Sequence, residues 1–430
     1  MITWLVPRQD LTPDQARVVE LPPESNRLVL GLAGSGKTQV LIHRAAYLAE
    51  TYRVKPELYR AFVFTNVIKE YIRSGFEFLG LPEQAVSTFD FWCVGLHERH
   101  ISPRLPRVDG GKTLDFRKIR RQVLNHISSM ASLQKSLDFV LVDEGQDLAP
   151  EVYDILHLSS HHVTVFADPQ QKIFEDGADE SFIMKKLRID APQVSLLGAY
   201  RNAAYVAQLA SHFIADRAKR AQYLAQVSTE QRVRERPLCF VAATYDQELD
   251  RLAEIIRQRQ VLNERVGIVV PTNRLVHGIA EGLGERGVTV ERAVAKEKAG
   301  KVSITCSFAN LVPKIATFYM AKGLTFDSVL LPRLTERAYY WTKPDQRARI
   351  LFVGIARATQ CVYLSTVASS EFQEMAALRE AEQNGHLTIQ TSGAWKSSEQ
   401  HRAGGDGRDE RAGQKGRQDK EPEDDEFSVL

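Results

Sequence analysis

Cysteine is scarce and dispersed. Cys93, Cys239, Cys306 and Cys361 are the four in 430 residues, and no two form a C-x-x-C pair. That spacing argues against a disulfide framework or a zinc site and fits free thiols in a reducing compartment. An excess of one charge is also lacking. Lys and Arg number 56 against 54 Asp and Glu, a formal net charge of +2. A surface for a polyanion must therefore be a local patch. No apolar run approaches membrane-spanning length. The start, Met1 to Arg8, is too short and too soon charged for a secretory signal, so the expected location is cytoplasmic. The remainder is ordinary for a globular protein, at 43% hydrophobic and 26% charged residues. The length suits two or three domains.

What is present is a phosphate loop. Arg27 to Leu30 read as a short apolar strand. Gly31-Leu32-Ala33-Gly34-Ser35-Gly36-Lys37-Thr38 follow the pattern G-x-x-x-x-G-K-[ST], and an amphipathic run from Val40 to Leu48 comes next. Glycines let the backbone curl so that several N–H groups face one anion, and the helix behind offers its positive end. Lys37 is placed to reach the β- and γ-phosphates and Thr38 to hold Mg²⁺. Upstream, Thr12-Pro13-Asp14-Gln15 reads as a capping box, with Gln15 as the third helical residue.

A second signal is Asp138-Phe139-Val140-Leu141-Val142-Asp143-Glu144-Gly145-Gln146-Asp147. A nearly all-apolar strand suits a parallel sheet covered on both faces. It delivers two carboxylates at its end, Asp143 for a metal and Glu144 to orient and deprotonate water. Val163 to Gln171 repeat the design as strand, acid and polar turn. Arg60 to Asn66 form another strand, in which Phe64 is either a base-stacking ring or a core residue. Ala85 to Cys93 read as a strand running into a helix. Between 97 and 137 basic residues prevail, among them Arg117, Lys118, Arg120 and Arg121. They suit either a phosphate backbone or a solvated face. His97 and His100 read as surface residues.

The second half repeats the alternation. Val194 leads into a helix to about Arg217, and Arg220 to Arg236 read as a polar loop or hinge. Strands are expected at 238–242, 266–270, 288–290, 314–319, 328–331 and 361–364. Helices are expected at 247–257, 274–286 and 346–358. The fold class expected is α/β, with parallel sheets covered by helices. From about Gly385 the composition becomes polar and charged, and a disordered tail over 385–430 is expected. Its acidic end could dock a protein partner.

In this order the segments resemble the UvrD/Rep-like branch of superfamily 1 helicases. Gln15 is similar to the adenine-reading Q motif, Gly31 to Thr38 to motif I, and Phe64-Thr65-Asn66 to the DNA-contacting motif Ia. Asp143 to Asp147 resemble motif II. Asp168 to Phe174 resemble motif III, with Gln171 as a γ-phosphate sensor. Tyr200-Arg201 resemble motif IV, with Tyr200 against adenine and Arg201 on the γ-phosphate. Ala321 to Phe326, including Gly323, are similar to motif V, and Ile355 to Ala358 to motif VI with Arg357 as arginine finger. The resemblance implies two RecA-like domains, at 1–198 and 199–384. The stretch 97–137 would be a rudimentary insertion. It implies Mg-ATP hydrolysis between the domains and 3′-to-5′ movement on single-stranded DNA, with RNA not distinguished from DNA.

Departures are also legible. Gln39 stands where the family commonly has an arginine near adenine. Thr325 replaces a ribose-binding glutamate and Tyr319 a histidine. Glu175 and Asp176 stand near the usual base-stacking tryptophan. The two accessory insertions of the family are reduced. Two alternatives therefore accompany the helicase expectation. One is a partner-activated ATPase subunit of a DNA repair or defence complex with latent helicase activity. The other is an ATP-gated nucleic-acid-binding module that does not unwind.

Overall fold

The computed structural model describes residues 4–394 apart from 32–33, 109–110, 112, 169–177, 191–193, 197–203, 227–234, 299–300, 305, 309 and 371–372. In its first half the elements run α1 (Pro13–Val19), β1 (Arg27–Gly31), α2 (Lys37–Thr51), β2 (Tyr59–Val63), α3 (Asn66–Phe78), β3 (Val86–Thr88) and α4 (Phe89–His100). They continue as β4 (Arg107–Val108), β5 (Thr113–Leu114), α5 (Phe116–Ser129), β6 (Leu137–Val142), α6 (Pro150–Ser159), β7 (Ser160–Ala167), α7 (Glu180–Leu187) and β8 (Val194–Leu196). Six of these strands form one parallel sheet in the order β3-β2-β6-β7-β1-β8. Apolar residues on both faces explain it. In β6 every residue but Asp138 is buried. The carboxyl ends of β6, β7 and β1 are consecutive at one edge. Asp143, Asp168 and the glycine-rich turn therefore emerge side by side.

The second half begins with α8 (Ala204–Ser211), α9 (Arg217–Gln226), β9 (Leu238–Ala242), α10 (Tyr245–Val261), β10 (Val266–Val270), α11 (Asn273–Glu285) and β11 (Glu291–Arg292). A hairpin of β12 (Ala295–Lys298) and β13 (Lys301–Ile304) follows, then β14 (Lys314–Thr317), α12 (Phe318–Ala321) and β15 (Phe326–Leu331). α13 (Pro344–Ile355), β16 (Ala358–Val367), α14 (Met375–Gln383) and β17 (Thr388–Thr391) complete the unit. Its parallel sheet has seven strands, in the order β11-β14-β10-β15-β16-β9-β17. The expected α/β class, with two parallel sheets covered by helices, is what the chain adopts.

Threonine sets the strand-to-helix turns. Thr88 and Thr317 end their strands, and Thr65, Thr244 and Thr272 stand two residues past theirs. Each accepts the N–H of the third helical residue, at 3.2–3.4 Å. Such a cap stabilises a helix start by about 1 kcal/mol.

Several expectations are corrected. Order does not end at Gly385, because β17 pairs with β9 as an edge strand; residues 395–430 lie outside the described residues. The polar stretch from Arg220 is no loop at its start, since α9 runs to Gln226 and buries Tyr223 against Phe352. Val288 to Val290 form no strand. Val288 instead returns its N–H to Leu283 O at 2.9 Å, closing α11. The expected helix to Ala358 ends at Ile355, and Ala358 opens β16, which lies inside the sheet between β15 and β9. The basic stretch 97–137 is part of the first core through Ile119, Val123 and Ile127 of α5. His97 is buried between Ser102 O and Gln122 Oε1. Among the described residues, no helix is long and apolar enough to cross a membrane.

Candidate active site

The turn after β1 is shaped by glycine. Gly34 and Gly36 have φ of 78° and 84°, and a Cβ on Gly36 would lie 2.5 Å from Gln15 Nε2. Gln15 is buried and both ends of its amide are engaged. Oε1 accepts from Thr12 N at 3.1 Å, completing the capping box, and Nε2 donates to Ser35 O at 2.9 Å. Gln15 thus ties α1 to the turn. Lys37 Nζ donates to Gly31 O at 2.7 Å and stands 3.6 Å from Asp168 Oδ2. Thr38 Oγ1 lies 3.3 Å from Asp143 Oδ2. The buried Ser35 hydroxyl has no hydrogen-bond partner among the described residues.

The acids after β6 are buried and coupled. Glu144 has a left-handed backbone, φ 50° and ψ 45°, uncommon for a residue with a side chain. Gln146 spans the site. Its Nε2 donates to Glu144 Oε2 at 2.5 Å and its Oε1 accepts from Asp168 N at 2.9 Å. Burial and the Glu144 charge push the Asp143 carboxyl up to about 7, against the pull of Lys37. Burial would raise Glu144 too, but Lys322, Lys37, Arg357 and the Gln146 amide outweigh it and hold that carboxyl at about 2. Glu144 is therefore held ionised, while the Asp143 carboxyl is raised, and a cation beside it would favour its charged form. A hard divalent cation fits this donor set of a hydroxyl and a carboxylate.

The second unit closes the site. Gly34, Gly36, Lys37, Thr38, Gln39, Tyr71 and Glu144 line a cleft of about 420 Å³ together with Gly323, Thr325 and Arg357. Arg357 sits in the turn between α13 and β16, buried, its Nε donating to Val353 O at 3.1 Å. Burial lowers its pKa, and Glu144, Asp168 and Asp143 oppose that shift. Lys322 forms a wholly buried ion pair with Asp147 across the two units. Gly323, at φ 80°, lies so close to α3 that a Cβ would stand 2.6 Å from Ile68 Cδ1.

Other expected site residues fall elsewhere. Leu32, Ala33, Gln171, Tyr200 and Arg201 lie outside the described residues. Thr65 caps α3, Asn66 Oδ1 accepts from Lys69 Nζ at 2.9 Å, and Phe64 is half-buried edge-on to Tyr319, centroids 5.6 Å apart. These three lie at the carboxyl end of β2, outside the cleft lining. Gln39 has its own work. Its amide accepts from Val6 N at 2.9 Å and donates to Trp4 O at 3.2 Å, pinning the N-terminal segment to α2. Trp4 in turn stacks on Tyr71, centroids 3.8 Å apart. Sequence reasoning quoted Gln146, Asp147 and Lys322 within motifs but gave them no role. Nothing in the sequence pairs Asp147 with a residue 175 positions away.

Residues 11–105 match a family profile described as the UvrD/REP helicase N-terminal domain. The chain is also 28% identical over 171 residues to DNA helicase II of Salmonella typhimurium (strain LT2) and to DNA helicase II of Escherichia coli (strain K12). Over these residues the chain is similar to UvrD/REP helicases. Each match takes in 38% of this chain and 22% of the relative, so the chain spans about a fifth of the relatives' length. A solved structure of the C-terminal domain of a possible DNA helicase from Lactobacillus plantarum WCFS1 overlaps 44% of the chain and 98% of its own length. It does so at 14% identity and a TM-score of 0.33.

Proposed function

We propose that this UvrD-like chain is an ATP-dependent DNA helicase or translocase that hydrolyses Mg-ATP between its two units and moves 3′ to 5′ on single-stranded DNA. One observation carries the reading: Lys37, Thr38 and Glu144 of the first unit share a cleft with Arg357 of the second. In this reading the glycine-rich turn and Lys37 hold the phosphates, and Thr38 with Asp143 hold Mg²⁺. The ion would supply charge neutralisation on the phosphate oxygens. Ionised Glu144, oriented by Gln146, accepts the proton of the attacking water. Arg357 stabilises negative charge on the transferred phosphoryl group. Gln171, Tyr200 and Arg201 are assigned their motif roles, sensing the γ-phosphate, packing on the base and contacting the γ-phosphate. Phe64, Thr65 and Asn66 are assigned to the nucleic-acid side.

The test is steady-state ATP hydrolysis titrated with single-stranded DNA, duplex DNA and RNA. Strong stimulation by single-stranded DNA is expected. Glu144→Gln should bind ATP normally and turn over at least about 10²-fold more slowly. Turnover near wild type would remove Glu144 from the role of base.

A second reading is a partner-activated ATPase with latent helicase activity. It is favoured by the spare accessory parts. Between β3 and β6 the chain has α4, a two-residue-per-strand hairpin and α5, and between β11 and β14 it has the short hairpin β12–β13. ATP turnover indifferent to nucleic acid would favour this reading.

A further inference from the structure

We propose that the loop after β15 is a base-stacking site for single-stranded nucleic acid, with Tyr340 and Trp341 as the platform and Arg337 and Lys343 as phosphate contacts. The proposal rests on the strand-tracking function above and adds to it a grip on the second unit.

The loop exposes two large rings in succession. Tyr340 is 78% exposed and Trp341 36%. Their neighbour Tyr339 is fully buried, which anchors the loop from beneath. The loop is braced throughout. Leu334 N donates to Ser365 O at 3.0 Å, and Thr366 Oγ1 donates to Leu334 O at 2.5 Å. Thr342 Oγ1 donates to Tyr339 O at 2.7 Å and accepts from Arg347 Nε at 3.1 Å. A fixed pair of exposed rings is a surface built for a partner. Aromatic faces bind any base by stacking, without reading sequence.

Charge selects the partner. The loop's one acid over 336–343, Glu336, is taken by Arg347 at 2.7 Å. Arg337 and Lys343 are exposed on either side of the two rings. Rings flanked by cations suit bases on a phosphate backbone.

Position supports the same partner. The sheet order β14-β10-β15 puts this loop two strands from Tyr319, roughly 10 Å along the same carboxyl edge. Tyr319 meets Phe64 of the first unit there. The platform therefore continues the edge that carries Phe64, Thr65 and Asn66. Gly323, Thr325 and Arg357 precede β15 and β16, at the opposite, amino edge of the sheet. A strand on the platform and a nucleotide in the cleft would not compete for space.

Binding of labelled oligothymidylate and oligouridylate by the full chain, followed by fluorescence anisotropy, tests this. Tyr340→Ala/Trp341→Ala should weaken binding by about 10-fold or more and leave turnover without nucleic acid unchanged. Tyr340→Phe/Trp341→Phe should restore most of the affinity. Oligonucleotide should quench the fluorescence of Trp341, and that quench should vanish in Trp341→Phe. The preferred oligonucleotide identifies the track. Undiminished binding by the alanine pair, with wild type binding normally, overturns the platform alone. Failure of wild type to bind either oligonucleotide overturns the platform and the strand-tracking function together.

Discussion

Arg44 heads the wholly buried side chains, and among the described residues no carboxylate forms an ion pair with it. Its guanidinium instead donates to Val18 O, Val19 O and Leu21 O, at 3.1, 3.1 and 2.7 Å, closing the carboxyl end of α1. Its Nε donates to Thr164 Oγ1 at 3.0 Å and its Nη2 to His162 Nε2 at 3.1 Å. Burial and the nearby Arg27 lower its pKa to about 10, so it stays charged at neutral pH. Arg44→Leu should strip the Val19 and Leu21 carbonyls of this donor and lower stability by about 3–5 kcal/mol in urea unfolding. A change under about 1 kcal/mol would mean the carbonyls find other donors. His162 adds a pH dependence. Burial, then Arg44 and Arg27, push it from 6.5 to about 3, so the native state keeps it neutral. Below about pH 6.5 the unfolded chain binds a proton that the folded chain refuses. Stability should therefore fall as pH drops from about 6.5 towards 3, by up to about 1.4 kcal/mol per pH unit. His162→Gln should flatten that limb, and an unaltered acid limb would remove His162 as its cause.

Elements show which signals survive from sequence to structure. The alternation of strand and helix was legible because parallel strands are apolar throughout and threonine caps recur behind them. α9 was not legible, since half of Arg217–Gln226 is charged or amide and Tyr223 is its one large buried ring. β17 was hidden for another reason. Thr388–Thr391 is a half-exposed edge strand with one partner and no apolar run. The glycine-rich turn and the acids Asp143 and Glu144 were readable because their chemistry is local. The contacts that join the units were not, because Asp147 and Lys322 or Ile68 and Gly323 meet only after both sheets form. The last pair makes a test at this scale. Gly323→Val adds bulk against Ile68 of α3 and strains a left-handed backbone. KM for ATP should rise about 10-fold or more as the cleft is wedged open. Adding Ile68→Ala should recover part of the loss. An unchanged KM in Gly323→Val would show that closure there is not needed.

At the scale of the whole molecule, two parallel-sheet units meet over the carboxyl edge of the first. The carboxyl edge of the first carries the turn, Lys37 and the acids, and the amino edge of the second brings Gly323, Thr325 and Arg357. Charges too costly to bury singly are buried together, since Lys37, Arg357 and Lys322 face Asp143, Glu144, Asp147 and Asp168. A nucleotide placed there touches both units, so its binding and hydrolysis would favour different relative positions of the two. That coupling is what movement along a strand requires. Its most direct test is single-turnover ATP hydrolysis by Arg357→Ala, with nucleotide affinity measured on the same preparation. The rate should fall by about 10³-fold or more while affinity stays within about 10-fold of wild type. Hydrolysis at the wild-type rate would contradict the account, because the first unit would then be catalysing alone.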